Sequence, residues 1–377
     1  MMKRLLVIIG LLVPMAAMAQ APSCFSLGGT VRDAETRDPL PNAHVFIVAS
    51  TFGTATDAEG EYEFSCVPLG AHKILATMMG FEEGYVEFDH RSTEEVRVDL
   101  VLAPTIIEMD GAVVTAEPPD RGRKWRKRLG KFLTTFVGET PGADKATIVN
   151  EEVLEFDVNW LGVFKARASE PLVVRNEHLG YQLEYHMKEF AIEGPTIRYD
   201  GDPFYEHLAP ESPKQERQWV ANRERAFHGS YRHFLLAAMA GRAEAEGFQM
   251  YYRPDLRSTA AQQVRFPART EDLLQPSDTL AGGMVLDFDG FIEVVYTREE
   301  ENRAFRLWQR KWPLNTYEAQ RSLMKLTRGA TVVDHNGEVL DPYGVTLYGY
   351  WAFERIAEDL PKEYRPPDFL ARLQQEQ

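Results

Sequence analysis

Between Phe25 and Ala103 apolar and polar positions alternate in short bursts. Val45, Ile47 and Ala49 form one such series, Tyr62 and Phe64 a second, Ile74, Ala76 and Met78 a third. Val96, Val98, Leu100 and Leu102 form a fourth. A period of two puts one face of each strand against a core and the other in water, as in antiparallel sheet. Asp38-Pro39-Leu40-Pro41-Asn42, Asp57-Ala58-Glu59-Gly60 and Val67-Pro68-Leu69-Gly70 separate the bursts with turn chemistry. Strands this short and this closely spaced predict a β-sandwich.

The pattern changes after Pro118-Pro119. Arg121, Arg123, Lys124, Arg126, Lys127, Arg128 and Lys131 crowd together, while Trp125, Leu129, Phe132 and Phe136 fall on one helical stripe. This basic amphipathic helix has two destinations: its stripe docks onto the acidic domain that follows, or 121–136 makes peripheral contact with a membrane. Beyond Ala146 strand-like pieces return at Leu154–Val158, Phe164–Ala168, Tyr181–Tyr185, Met284–Phe288 and Ile292–Tyr296. Helices are predicted from Ser230 to Glu246, leading into a strand at Phe248–Tyr252, and from Tyr350 to Leu360. Asn336-Gly337, within Asp334 to Glu338, reads as a hairpin turn whose two residues supply positive φ. The expected fold is an all-β sandwich followed by a mainly-β α+β domain. Its segments are a signal peptide over 1–19, the sandwich over 20–104, a linker with the basic helix over 105–140, and the α+β domain over 141–377.

Five pieces of the first domain carry a resemblance. They are Gly29-Thr30-Val31-Arg32-Asp33, Asp38 to Ala43, Gly53 to Phe64, Val67-Pro68-Leu69-Gly70 and Met79-Gly80-Phe81. In order and spacing this stretch resembles the carboxypeptidase regulatory-like (transthyretin- or prealbumin-like) domain. The resemblance implies a seven-stranded sandwich without an active site. It is an accessory in metallocarboxypeptidases, and it stands at the mature N-terminus of many Bacteroidota envelope proteins. Glu108 to Ala116 looks like the stretch that follows this domain in TonB-dependent outer-membrane receptors. About 260 residues remain after it, too few for the roughly 22 strands of such a transporter. Asn176 to Tyr181, Gly229 to Leu235 and Gly349-Tyr350-Trp351 are similar to C-terminal regions of other Bacteroidota proteins with this front end, which implies no function.

Composition narrows the setting. Met1-Met2-Lys3-Arg4, an apolar run from Leu5 to Met18 and Ala17-Met18-Ala19 before Gln20 read as a secretory signal cleaved between Ala19 and Gln20. The run is shorter than the roughly 20 residues a span requires. Export to the periplasm or the outer membrane is therefore expected. There, the two cysteines, Cys24 and Cys66, read as a disulfide, with two buried thiols as the other reading. The chain carries 42 basic and 57 acidic residues, a net −15, and removal of Lys3 and Arg4 leaves −17. Such a balance argues against a nucleic-acid partner.

Catalytic and metal chemistry is not expected. The His-x-x-Glu signature of zinc carboxypeptidases occurs at His186…Glu189 and His335…Glu338. Nine histidines among 57 acidic residues in 377 give by chance about 1.4 with an acidic residue three places on. On a strand, a spacing of three points His186 and Glu189 to opposite faces, and zinc needs three converging ligands. In the carboxypeptidases, moreover, the regulatory domain follows the catalytic one. No Gly-x-Ser-x-Gly elbow, His-Glu-x-x-His or phosphate-cradling loop occurs. Asp287-Phe288-Asp289-Gly290 lacks the later ligands of a calcium loop and reads as a polar hairpin turn. His228 and His233 lie five apart and do not align on a helix. Tyr231, Arg232 and His233 are the speculative ligand contacts, against the blander reading of a helix with a wet basic edge. The expected function is therefore a non-catalytic exported envelope protein with a binding or structural role and no cofactor. Its partner would be another envelope protein, a glycan or a peptide. The alternatives are an accessory of TonB-dependent uptake and a hydrolase with an unrecognised site in 141–377.

Overall fold

A computed structural model describes residues 24–105, 121–254, 265–280, 282–310 and 318–374. The Ala19–Gln20 cleavage site and the receptor-like Glu108–Ala116 segment lie outside the described residues. The sandwich comprises β1 (Cys24–Asp33), β2 (His44–Ile47), β3 (Gly53–Ala55), β4 (Glu61–Pro68), β5 (Gly70–Thr77), β6 (Gly84–His90), β7 (Val96–Arg97) and β8 (Leu100–Leu102). One sheet places β4 on one side of β1 and β7 with β8 on the other; the second runs β3-β2-β5-β6. Phe25, Leu27, Val31, Val45, Ile47, Tyr62, Phe64, Ile74 and Leu100 fill the space between them. Cys24 and Cys66 are joined, fastening β1 to β4.

Three details differ from the alternation read in the sequence. First, β7 and β8 run parallel to β1, not antiparallel, and both keep one register. They are two halves of one strand, which makes seven strands in all. The break falls at Asp99, whose carboxylate accepts the Thr30 N–H at 2.9 Å and the Thr30 hydroxyl at 3.0 Å. Second, Ala49 and Met78 lie outside strands; Ala49 turns the chain at φ +59°. Third, the outward face is closed where β2 and β5 pair at Phe46 and Leu75, which are as buried as their neighbours.

Helix α1 (Arg123–Phe136) follows. The next domain starts with a six-stranded sheet: β9 (Ala146–Ile148), β10 (Leu154–Val158), β11 (Phe164–Ala168), β12 (Leu172–Asn176), β13 (Tyr181–Glu193) and β14 (Thr196–His207). α1 lays Leu129, Phe132 and Phe136 on this sheet, with Phe132 4.7 Å from Phe190 and Phe136 5.0 Å from Tyr185 between ring centres. The stripe offered to a membrane in the sequence reading is thus part of the core. Only the polar side of α1 meets solvent.

Helices α2 (Pro213–Phe227) and α3 (Tyr231–Met239) lead to β15 (Phe248–Arg253), β16 (Phe266–Pro267), α4 (Thr270–Leu273), β17 (Leu274–Pro276), β18 (Met284–Leu286) and β19 (Phe291–Glu300). Then come α5 (Arg303–Trp308), β20 (Ala319–Leu326), β21 (Thr331–Val333), β22 (Val345–Gly349), α6 (Tyr350–Phe353) and α7 (Pro367–Gln374). They form a five-stranded sheet, β16-β15-β19-β20-β22, and a three-stranded one, β17-β18-β21. A second core forms where Phe234 and Leu235 of α3 meet Phe248, Tyr296 and Trp351.

The α3 helix stops at Met239 rather than Glu246, because Gly241 turns the chain at φ +67°. The predicted Tyr350–Leu360 helix is one turn followed by a 3-10 turn at Ile356–Glu358. Asp287 to Gly290 joins strands of different sheets and closes no hairpin. In the Asp334 turn only Gly337 takes positive φ, +78°. The Asp334 carboxylate holds that turn by accepting the Asn336 and Glu338 N–H groups at 2.8 and 2.9 Å. Among the described residues no helix is long and apolar enough to cross a membrane.

Candidate functional site

The outward sides of β2 and β5 are covered by β14. Phe46 and Leu75 close over Phe204, whose ring centre is 5.1 Å from that of Phe46 and 5.0 Å from that of His44. Backbone bonds stitch the seam: Ala49 N–H donates to Pro203 O at 2.6 Å, Tyr205 N–H to Ser50 O at 3.0 Å, and Lys362 N–H to Ala49 O at 2.7 Å. The Glu363 carboxylate accepts both the N–H and the hydroxyl of Thr51. Gly53 is small because Phe204 lies over it; a Cβ there would come within 2.3 Å of the ring. The sandwich is therefore docked on its neighbour through an apolar centre and a polar rim.

Charged groups gather beside that centre. Asp202, almost fully buried, receives Lys73 from the sandwich and Lys188 from β13, each at 2.7 Å. His186 lies between Glu83 of the sandwich, 2.5 Å from Nδ1, and Glu184, 2.9 Å from Nε2. Burial disfavours the charged imidazole, but the two carboxylates outweigh it and lift its pKa to about 9. Glu184 moves the opposite way, held low chiefly by its bond to His186. A base with a raised folded-state pKa stabilises fully below its ordinary value of 6.5 and loses that contribution as pH climbs through 9. Glu83 is half exposed, so solvent weakens its share, leaving about 2 kcal/mol. Thermal melts are expected to fall across that interval in the wild type and to show a smaller fall in His186→Gln. Parallel pH dependence in both proteins would refute the assignment. A small cavity of about 140 Å³ opens here, lined by Glu83, Ser169, Glu170, His186 and Lys188 among others.

A larger cleft, about 430 Å³, runs along the first half of α2. Ser212 caps that helix by accepting the Gln215 N–H at 3.3 Å, and Pro213 supplies its first turn. The floor is fixed by Trp219, whose indole N–H donates to Glu177 O at 2.8 Å. Its ring covers Gly180, which has φ +73° and leaves no room for a Cβ. Asn222 donates to His178 O at 2.7 Å and accepts from Gln218 at 2.9 Å. Lys145, Lys214, Glu177 and Glu211 stand exposed around the rim, with Gln215 and Gln218 between them. Two cations, two anions and several amides make a surface that pairs with both signs of charge and with backbone-like donors and acceptors.

The residues singled out in the sequence lie elsewhere. Tyr231, Arg232 and His233 form the entry of α3 and have interior roles. The Tyr231 hydroxyl is enclosed, Arg232 donates to the carbonyls of Leu360 and Pro361 and pairs with Glu338 at 2.6 Å, and His233 is fully buried against Glu246. With Tyr231 and Arg232 partly buried and His233 fully buried, they form no wet basic edge. His228 ends α2 and stands 3.3 Å from Asp368. Glu189 accepts the Tyr343 hydroxyl at 2.6 Å, far from any pairing with His186. His335 presses on Gly70, where a Cβ would meet its ring at 1.6 Å, so it serves the seam between domains. Among the described residues no three His, Cys, Asp or Glu side chains converge as a metal set. Sequence reasoning missed the α2 cleft, although Ser212-Pro213 is a recognisable helix start.

Residues 27–114 match the family model of the CarboxypepD_reg-like domain. No curated protein matches the chain. Among solved structures, similarity is found to the shaft pilin SpaA of Lactobacillus rhamnosus GG, at 13% identity over 22% of this chain and 48% of that one, TM-score 0.18. Catechol 1,2-dioxygenase of Acinetobacter sp. ADP1 gives 16% identity over 26% and 58%, TM-score 0.20. A type II cohesin–X-dockerin complex of Acetivibrio cellulolyticus gives 16% over 21% and 58%, TM-score 0.19. The chain thus spans between about half and three fifths of these structures, and the likenesses bear on neither activity nor partners.

Proposed function

We propose that this chain is an exported, non-catalytic envelope protein that binds a short peptide in the α2 cleft, with the sandwich as a fixed buttress. The cationic, apolar N-terminus and the Bacteroidota-like front end support export to the periplasm or outer membrane. The regulatory-like domain is consistent with a binding or structural role. The observation that carries the binding reading is the cleft rim: Lys145 and Lys214 with Glu177 and Glu211 complement a chain bearing both charges, and Gln215 and Gln218 complement its amides.

Ligand-observed NMR against short peptides and oligosaccharides tests this reading. Peptide signals are expected, with affinity falling about tenfold in Lys214→Glu or Gln218→Ala, while the melting temperature stays unchanged. Hits indifferent to these substitutions would dismiss the cleft, and hits from sugars alone would dismiss the peptide. N-terminal sequencing of the fractionated protein, with Gln20 expected first, checks export.

A further inference from the structure

Helix α1 starts in a way that its own stability does not explain. Gly122 offers no side-chain cap, and the first turn holds no acidic residue. Arg123, Lys124, Arg126 and Lys127 stand there instead, where the helix dipole favours anions. All four are exposed and pair with no carboxylate among the described residues. Between Arg121 and Val137 there is no Asp or Glu at all, in a chain whose net charge is −15. Such a concentration opposes both local helix energetics and the overall charge.

The helix also leads somewhere. It runs along the β10–β11 hairpin toward its tip: Trp125 donates to Leu154 O at 3.1 Å, Arg128 to Phe156 O at 2.9 Å, and the Lys131 ammonium stands 4.8 Å from the centre of the Phe164 ring. At the tip Trp160 is 90% exposed and Leu161 65%. This is a built turn: the Asn159 side chain accepts the Leu161 and Val163 N–H groups at 3.0 and 2.9 Å, and Gly162 closes it at φ +81°. A fixed loop thus holds a tryptophan and a leucine in water at the hairpin end that α1 runs toward, with Lys131 next to the turn and the other cations further back along the helix.

We propose that this face docks on an anionic lipid surface, with Trp160 and Leu161 entering the headgroup boundary and Arg123, Lys124, Arg126, Lys127 and Lys131 lying against lipid phosphates. Tryptophan suits that boundary because it is apolar in body and polar at one edge. Cations near an anionic leaflet attract strongly, but only within a Debye length. A chain with excess negative charge is repelled as a whole, so binding to anionic lipid needs a local basic face such as this one. The apolar stripe of α1 takes no part, since it belongs to the core.

Co-sedimentation of the whole chain with vesicles tests this, comparing equal parts phosphatidylglycerol and phosphatidylcholine with phosphatidylcholine alone. Binding is expected only to the anionic vesicles, is expected to weaken with salt, and should shift Trp160 fluorescence to the blue. The combined variant Arg123→Glu/Arg126→Glu/Lys127→Glu should bind roughly a hundredfold more weakly, at about fivefold for each cation removed. Trp160→Ala/Leu161→Ala should lose roughly tenfold. Glutamate suits a helix N-terminus, so the first variant should melt no lower than wild type and its lost binding cannot be ascribed to unfolding. All proteins share the same N-terminus, so any attachment through it is common to them. Equal retention on neutral and anionic vesicles, or wild-type binding by both variants, would overturn the proposal.

Discussion

Replacing Phe204 with alanine is expected to cost about 3–5 kcal/mol and to divide one unfolding transition into two. Phe204 is 5% exposed and forms the apolar centre of the seam with Phe46 and Leu75. Its removal leaves a hole bounded by a sheet on each side, and neither sheet can close in without breaking the bonds from Ala49 to Pro203 and from Tyr205 to Ser50. The polar rim, with its backbone bonds and the Lys73–Asp202 pair, stays in place but cannot fill that hole. Scanning calorimetry reads the result directly: two resolved peaks in the variant against one in the wild type. A single peak at the wild-type temperature would show that the seam does not couple the domains.

Cys24→Ser is expected to destabilise the sandwich by about 4 kcal/mol, because the cross-link closes a loop of 42 residues in the unfolded chain. The effect falls first on β1, which pairs with β4 on one side and β7 and β8 on the other. Urea denaturation with and without reductant measures it. Reductant should lower the wild-type midpoint to that of Cys24→Ser/Cys66→Ser and leave that variant unmoved. A wild-type midpoint indifferent to reductant would contradict the cross-link.

Alternation was a good guide where one face of a strand meets water. Leu154–Val158 and Phe164–Ala168 coincide with β10 and β11, and outward Glu155 and Asp157 stand opposite Arg167 and Lys165 across the pair. It could not show what covers the other face. Phe46 and Leu75 read as strand filler until β14 is seen lying over them, because period two records burial on one side only. Nor does alternation record strand direction, so the parallel pairing of β7 and β8 was not legible. Helix α2 was missed because Trp219, Ala226 and Phe227 are few among charged neighbours, which leaves a weak 3.6-residue period. Tyr231, Arg232 and His233 drew notice as polar and aromatic groups together, yet the helix entry they form is enclosed by Leu360, Trp351 and Glu246. The α2 cleft takes its rim from Lys145, Glu177 and the Glu211–Asn222 stretch, and proximity of that kind is set by the fold and not by spacing.

The docking of Phe46 and Leu75 under Phe204 also decides where this chain can be cut. A fragment ending near Thr105 would keep its seven strands, its cross-link and its inner core. It would also uncover two large apolar side chains on adjacent paired strands, with their new surface open to a second copy. Such a fragment should dimerise or precipitate at concentrations where the intact chain stays monodisperse, and it is a poor substitute for the parent in any binding assay.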